Sequence, residues 1–218
     1  MTAITVADLA RVVYSSGKVF DGLSTGRLDT ENFLRSGSVE GITSRADLAL
    51  LEDLRDAASF ILDQARRSTD AAFVRAINAR LTRSGALHPG ELRTDDQQIG
   101  VRTRYGRHSP EALTDAGLQD LVAMLTAGAD PIESALSLFV GVARAQPFED
   151  GNKRTALFSA NHLLLHAETG LLLVVPVSDT DPAVADAFND LLARAYLFGE
   201  DDGVKNLLRR DGIVPIGA

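Results

Sequence analysis

At 218 residues the chain is long enough for one helical domain with an N-terminal extension, and a hydrophobic share of 45% supplies a sizeable core. A net charge of −8 argues against general nucleic-acid binding, which needs a basic face. The lack of cysteine excludes disulfides, a thiolate nucleophile and cysteine zinc sites, and fits a reducing cytoplasm. No run approaches the ~18 apolar residues of a membrane span. Residues 1–8 lack the cationic start and apolar run of a signal peptide, so a cytoplasmic location is expected. Three Tyr, no Trp and few alternating Val-rich runs predict a mainly α fold.

In chain order, residues 5–24 carry Val6, Leu9, Ala10 and Val13 at helical spacing, with a break expected near Gly17. Asp29 is placed as the cap of a short helix through Leu34. The run Ser36-Gly37-Ser38-Val39-Glu40-Gly41 reads as a turn. Ser44 with Asp47 matches a capping box ahead of a helix bearing Leu50, Leu51, Leu54, Ala57, Ala58 and Ile61. Residues 70–82 form another helix. From 84 to 110 the helical period is lost, and 98–102 is expected to pair as one strand of a hairpin. A helix follows at about 115–127, and Gly128 and Pro131 separate it from the next. Leu171 to Val175 is a buried strand or extended segment, Pro182 opens a helix to about Phe198, and 205–210 makes a last short one. The division expected is 1–43 as an extension, 44–210 as the core and 211–218 as a tail. His162 and His166 lie four apart, but the leucines around them favour structural or surface roles over a metal site. His108 is a weak candidate for approaching a site from the loop region.

One stretch carries chemistry: Gln146-Pro147-Phe148-Glu149-Asp150-Gly151-Asn152-Lys153-Arg154-Thr155-Ala156-Leu157. Before it runs the stripe Ile132, Ala135, Leu136, Phe139, Val140, Ala143. After it runs Ala156, Leu157, Ala160, Leu163, Leu164. Both keep the spacing of a helix with one buried face. A polar loop that opens a helix presents free N–H groups and the positive helix end, which suit an anion. Pro147 stops the first helix, and Phe148 can anchor the loop in the core. Glu149 and Asp150 offer oxygens to Mg²⁺ carried by a nucleotide phosphate. Gly151 permits positive φ or close approach. Lys153 and Arg154 can neutralise phosphate, Arg154 with a two-pronged fork. An ordinary helix N-terminus accounts for any one of these residues. The full set between two apolar helices favours a phosphate site.

This stretch resembles the signature of the Fic/Doc (Fido) family, His-Pro-Phe-x-Asp/Glu-Gly-Asn-Gly/Lys-Arg, at Pro147, Phe148, Asp150, Gly151, Asn152 and Arg154. The resemblance implies a Fido-like helical bundle with a small β-hairpin flap over the active-site loop. It implies transfer of AMP, or another phosphate-containing group, from ATP or another nucleotide with Mg²⁺ to a protein hydroxyl. Carried over, Gln146 stands at the position of the catalytic histidine, with Asn152 and Arg154 beside it. Gly151, Asn152, Lys153 and Arg154 would bind the nucleotide and Asp150 the metal. Ser36 and Glu40 match an inhibitory pattern, Ser/Thr-x-x-x-Glu-Gly/Asn, whose usual partner arginine is Leu157 here. The segment 89–102, with Ile99, Gly100 and Val101, falls where the family has its flap, which holds a target segment by adding a strand to it. A partner antitoxin or self-association is compatible with the family.

The departures leave three readings. A glutamine amide cannot accept a proton near neutral pH, and losing a general base typically costs ~10²–10⁴ in rate. The chain is then a slow or altered transferase, a non-catalytic nucleotide- or partner-binding module (a pseudoenzyme), or an inactivated variant of a normal enzyme. Lys153 resembles the Doc branch, whose members act as kinases. The inhibitory pattern and the long N-terminal region favour AMP transfer over phosphate transfer.

Overall fold

A computed structural model describes residues 4–217 of the chain. A 3₁₀ turn, Val6–Leu9, leads into α1 (Ala10–Phe20), followed by α2 (Arg27–Ser36), α3 (Arg45–Asp63) and α4 (Ala71–Asn78). β1 (Val101–Thr103) and β2 (Gly106–His108) form an antiparallel hairpin with Arg102 opposite Arg107. Next come α5 (Asp115–Thr126), α6 (Pro131–Ala145) and α7 (Asn152–His166). β3 (Leu171–Leu173), α8 (Ala183–Phe198), α9 (Asp201–Leu207), a π-helical turn and β4 (Ile213–Pro215) complete the order. β3 pairs antiparallel with β4, Leu172 facing Val214. The fold is mainly α with small two-stranded sheets, as the composition predicts.

α7 is the centre of the bundle and packs against α1, α3, α4, α6 and β3. The expected single apolar face proves too narrow. Thr155, Ser159, Asn161 and His162 are buried along with the leucines, so α7 is enclosed on nearly every side. The polar residues survive burial because the fold gives most of them partners. Asn161 donates to the carbonyls of Leu157 (2.9 Å) and Leu173 (2.8 Å) and accepts the N–H of Leu173 (2.9 Å). It thereby ties β3 to α7.

His162 shows the same logic. Its Nε2 faces the Gln64 carbonyl at 3.0 Å, and its Nδ1 lies 2.7 Å from the Thr69 hydroxyl. A carbonyl only accepts, so Nε2 carries the proton and Nδ1 accepts from Thr69. The ring stacks on Phe73 at 3.8 Å. Burial pushes its pKa down to about 4. An unfolded histidine binds its proton near pH 6.5, so this contribution to stability is complete above that value and declines as pH falls towards 4. Urea midpoints followed from about pH 7.5 down to about 4.5 should fall along this course, and His162→Asn should reduce the slope.

Several expected boundaries move. α1 continues through Gly17, which lacks a Cβ where one would sit 3.0 Å from Leu23. α2 starts at Arg27 after Gly26, so Asp29 lies inside it and is not its cap. Ser44 does cap α3, accepting the Asp47 N–H at 3.2 Å. Asp47 does not complete the box. Its carboxylate instead accepts the backbone N–H and hydroxyl groups of Ser24 and Thr25, pinning the α1–α2 connection. α4 stops at Asn78, and the last short helix starts at Asp201. Leu9, Val12 and Val13 share one core with Phe139, Phe158 and Val214, and β4 supplies the partner strand of β3.

Candidate active site

The site begins where α6 ends. Gln146 follows Ala145 in the left-handed region, φ 47° and ψ 57°, a conformation usually left to glycine or asparagine at a helix C-terminus. Such backbone costs a residue with a Cβ roughly 1–2 kcal/mol. The surroundings hold it there. Its N–H bonds to the Val142 carbonyl at 3.1 Å, and its own carbonyl accepts from Arg93 Nε at 2.7 Å. Arg93 is buried, and its other arm donates to the carbonyls of Pro110 and Glu111. One guanidinium thus joins the end of α6 to the segment before α5.

The loop from Pro147 to Gly151 is fixed from several sides. Phe148 is fully buried. Asn152 closes on it, accepting its N–H at 2.8 Å and donating to its carbonyl at 2.9 Å. Each end of the Asn152 amide makes one of these bonds, so Asn152 shapes the loop. Glu149 accepts the N–H groups of Leu87 (3.0 Å) and His88 (3.3 Å). Gly151 takes φ 73°, as its place at the helix start foretold. A Cβ there would lie 2.5 Å from Leu81 Cδ1. Asp150 is exposed, with Oδ1 accepting the Gly151 N–H at 2.6 Å.

Asn78 at the end of α4 is the residue that locks this arrangement. It donates to the Asp150 carbonyl and the Thr155 hydroxyl, both at 3.0 Å, and accepts the Gly90 N–H at 2.7 Å. Its replacement by alanine would strand the buried Gly90 N–H and free the loop. We expect Asn78→Ala to destabilise the fold by roughly 2–4 kcal/mol in urea denaturation, since each buried orphan costs about 1–3 kcal/mol.

Arg154, in the first turn of α7, is only 2% exposed. Its Nη1 donates to Ser84 Oγ at 2.7 Å. Ser84 in turn donates to the buried Asp53, which also accepts the N–H groups of Thr82, Arg83 and Ser84. Nε stands 3.5 Å from Asp21 and Nη2 stands 3.6 Å from Asp150. Nη2 is buried and has no hydrogen-bond partner. Lys153 points its ammonium over the Phe20 ring at 4.9 Å, and burial holds its pKa below the usual lysine value.

Phe20, Asp21, Ile99, Gly100, Val101, Gln146 and residues 149–154 line one cavity of about 170 Å³. The structure therefore brings Gln146, Asp150, Gly151, Asn152, Lys153, Arg154, Ile99, Gly100 and Val101 together. It does not bring Ser36 or Glu40. Ser36 ends α2 and its hydroxyl donates to the Asn32 carbonyl of its own helix, while Gly37 turns the chain in the left-handed region. Glu40 lies in an exposed turn. The acids beside Arg154 are Asp21 and Asp150.

The hairpin also lies further along than expected, at 101–108. Gly100 abuts the His108 carbonyl, and Arg107 reaches back to the Gln98 carbonyl at 2.7 Å. Residues 89–93 pack as the floor of the motif loop: Leu92 bridges Phe148, and the Arg93 N–H bonds to the Pro147 carbonyl at 2.9 Å. His108 is an anchor, its Nε2 2.6 Å from the Arg144 carbonyl and its ring stacked on Tyr196. A second cleft of about 440 Å³ runs between the hairpin and α8. It shares Val101 and Lys153 with the first, and the buried Tyr196 in its wall has a hydroxyl without a partner.

Residues 68–164 match the model of the Fic/DOC family. Fic-1 from C. elegans (residues 134–508) has the same fold, with a TM-score of 0.70, 21% identity and 93% of this chain covered. Over residues 68–164, and in its fold, the chain is similar to the Fic/DOC family. It spans 59% of that nematode chain. A Fic-domain-containing signaling protein from Bacteroides thetaiotaomicron is 20% identical at a TM-score of 0.69, over 95% of this chain and 85% of that one. The N-terminal Fic domain of a Bartonella quintana effector, with bound ADP, is 17% identical at a TM-score of 0.54, over 78% and 85%. At these identities the likeness is one of fold. None of the curated proteins matches the chain. Within the family fold, the motif stretch is the α6–α7 junction described above.

Proposed function

We propose that this chain binds a Mg-nucleotide at the α6–α7 junction and transfers AMP to a protein hydroxyl. The observation that carries the reading is Arg154 Nη2, a buried cationic donor with no hydrogen-bond partner among the described residues, at the open N-terminus of α7. A buried donor left unpaired is costly, and a phosphate oxygen satisfies it with a charge-assisted bond. The first N–H groups of α7 and the helix end favour the same negative ligand. The adjoining cleft, continuous through Val101 and Lys153, offers the nucleoside a place. The ADP bound by the Bartonella quintana Fic domain supports the same ligand class.

Among the described residues no group of three or more His, Cys, Asp or Glu could cage a metal. Mg²⁺ carried on phosphates needs only one or two carboxylates, and the exposed Asp150 fits that need with Oδ2. When bound, the ion would neutralise phosphate charge. On the target side, β1 has β2 as its one strand neighbour among the described residues, and it borders both cavities. An added target strand there would carry a hydroxyl towards Gln146.

Gln146 favours a second reading, in which the chain binds nucleotide without turnover, because its amide cannot take the hydroxyl's proton. Mass spectrometry of proteins from a lysate treated with the chain and ATP separates the two. AMP on Ser, Thr or Tyr is expected. Phosphate in its place would make the chain a kinase, and no adduct despite nucleotide binding would make it a binding module.

A further inference from the structure

The proposed transfer needs a proton acceptor, and Gln146 is not one. We propose that Asp21 accepts the proton of the target hydroxyl; this rests on the AMP-transfer reading above. Asp21 and Gln146 line the same cavity of about 170 Å³, so a hydroxyl admitted there enters a space that both border.

Three carboxylates line this cavity: Asp21, Glu149 and Asp150. Glu149 is held by two backbone N–H groups and stands 3.6 Å from the His88 ring. Asp150 is exposed, bound to the Gly151 N–H, and is the carboxylate suited to the metal. Asp21 accepts no hydrogen bond; its one close partner is Arg154 Nε at 3.5 Å. Its lone pairs are free to take a proton. The charged groups facing it are Arg154 and Lys153 from α7 and Asp150 from the loop. Asp21 keeps part of its side chain open to solvent (26% exposed), and desolvation of the remainder outweighs the two cations and raises its pKa above the ordinary carboxylate value, which makes it a stronger base than a fully solvated aspartate.

The position of Asp21 is built in. It directly follows α1, whose last residue Phe20 stacks on Phe139 at 6.4 Å and lies near Phe188. Gly22 then turns the chain at φ 69°, and Asp47 grips Ser24 and Thr25 beyond it. Such a base must be held within a fraction of an ångström to work.

In the step itself, the hydroxyl oxygen forms its bond to the α-phosphorus while the bond from that phosphorus to pyrophosphate breaks. The hydroxyl proton passes to an Asp21 oxygen. Pyrophosphate leaves with the bonding pair, and Asp21 returns the proton to water. Protein kinases use an aspartate in the same capacity.

The test uses the full chain, [α-³²P]ATP with Mg²⁺, and a peptide mixture in which each member carries one Ser, Thr or Tyr, with self-modification read by intact mass. Asp21→Asn should lose ~10²–10⁴ of the transfer rate while its Mg-ATP affinity by calorimetry stays within a few-fold or tightens. Asp21→Glu should recover part of the rate, and formate should do so for Asp21→Ala, provided circular dichroism shows both folded. Transfer by Asp21→Asn at or above the wild-type rate would overturn the proposal and make Asp21 a competitor of phosphate for Arg154. Wild-type chain that binds Mg-ATP and modifies nothing would overturn it too, while leaving nucleotide binding intact. Wild-type chain that fails to bind Mg-ATP would remove the underlying reading itself.

Discussion

Arg154→Ala should lower Mg-ATP affinity at least about 100-fold, close to 3 kcal/mol, while the chain stays folded. The size follows from what the side chain does. Arg154 is buried, so its charge is little screened, and Nη2 has no hydrogen-bond partner among the described residues. A phosphate would meet a donor already in place, held by Ser84 and behind it by Asp53. Removing it leaves the phosphate with the helix N–H groups and Lys153 alone. Arg154→Lys should recover little, because an ammonium cannot reach Ser84 and a phosphate with one planar fork. Calorimetry of both variants checks this. Affinity within threefold of wild type in Arg154→Ala would remove Arg154 from the phosphate site.

Gln146→His should raise AMP transfer roughly 10- to 100-fold, the lower part of what a general base contributes, because Asp21 already supplies one. Histidine tolerates the left-handed backbone better than most residues, so φ 47° is no obstacle. The backbone clamps from Arg93 and Val142 do not depend on the side chain. The double variant Gln146→His, Asp21→Asn is informative as well. It should retain transfer that Asp21→Asn alone loses, since either group can take the proton. Initial rates with [α-³²P]ATP and the peptide mixture measure both. A rate unchanged in Gln146→His would mean that position 146 does not face the attacking hydroxyl.

The sequence made the junction legible because its signals are local. The stripes before and after it have helical spacing, Pro147 and Gly151 mark the turn, and both helices form where those stripes predict. The burial of α7 on nearly all sides was hidden, because Asn161 and His162 look like surface residues until their partners in β3 and near α4 are known. Asn152 reads as a ligand-facing amide in the motif, yet both its ends close on Phe148. Asp21, Asn78 and Arg93 lie outside the motif in sequence and carry no local pattern. They reach it only through the packing of α1 against α7 and of the 89–93 segment against the loop. A short acidic pattern such as Ser36 to Glu40 is the opposite case: it is readable, but α2 ends there and the chain turns into solvent.

The central claim is that phosphate binds at the start of α7, and amide chemical-shift mapping on Mg-ATP addition tests it most directly. Saturable shifts should concentrate at Gly151, Asn152, Lys153 and Arg154, with Gly100 and Val101 at the start of β1 and Asn189 of the adjoining cleft beside them. Saturable shifts gathered instead around the separate cavity lined by Arg11, Arg27 and Arg210, with the α7 N-terminus unmoved, would contradict the account, as would no shifts at all.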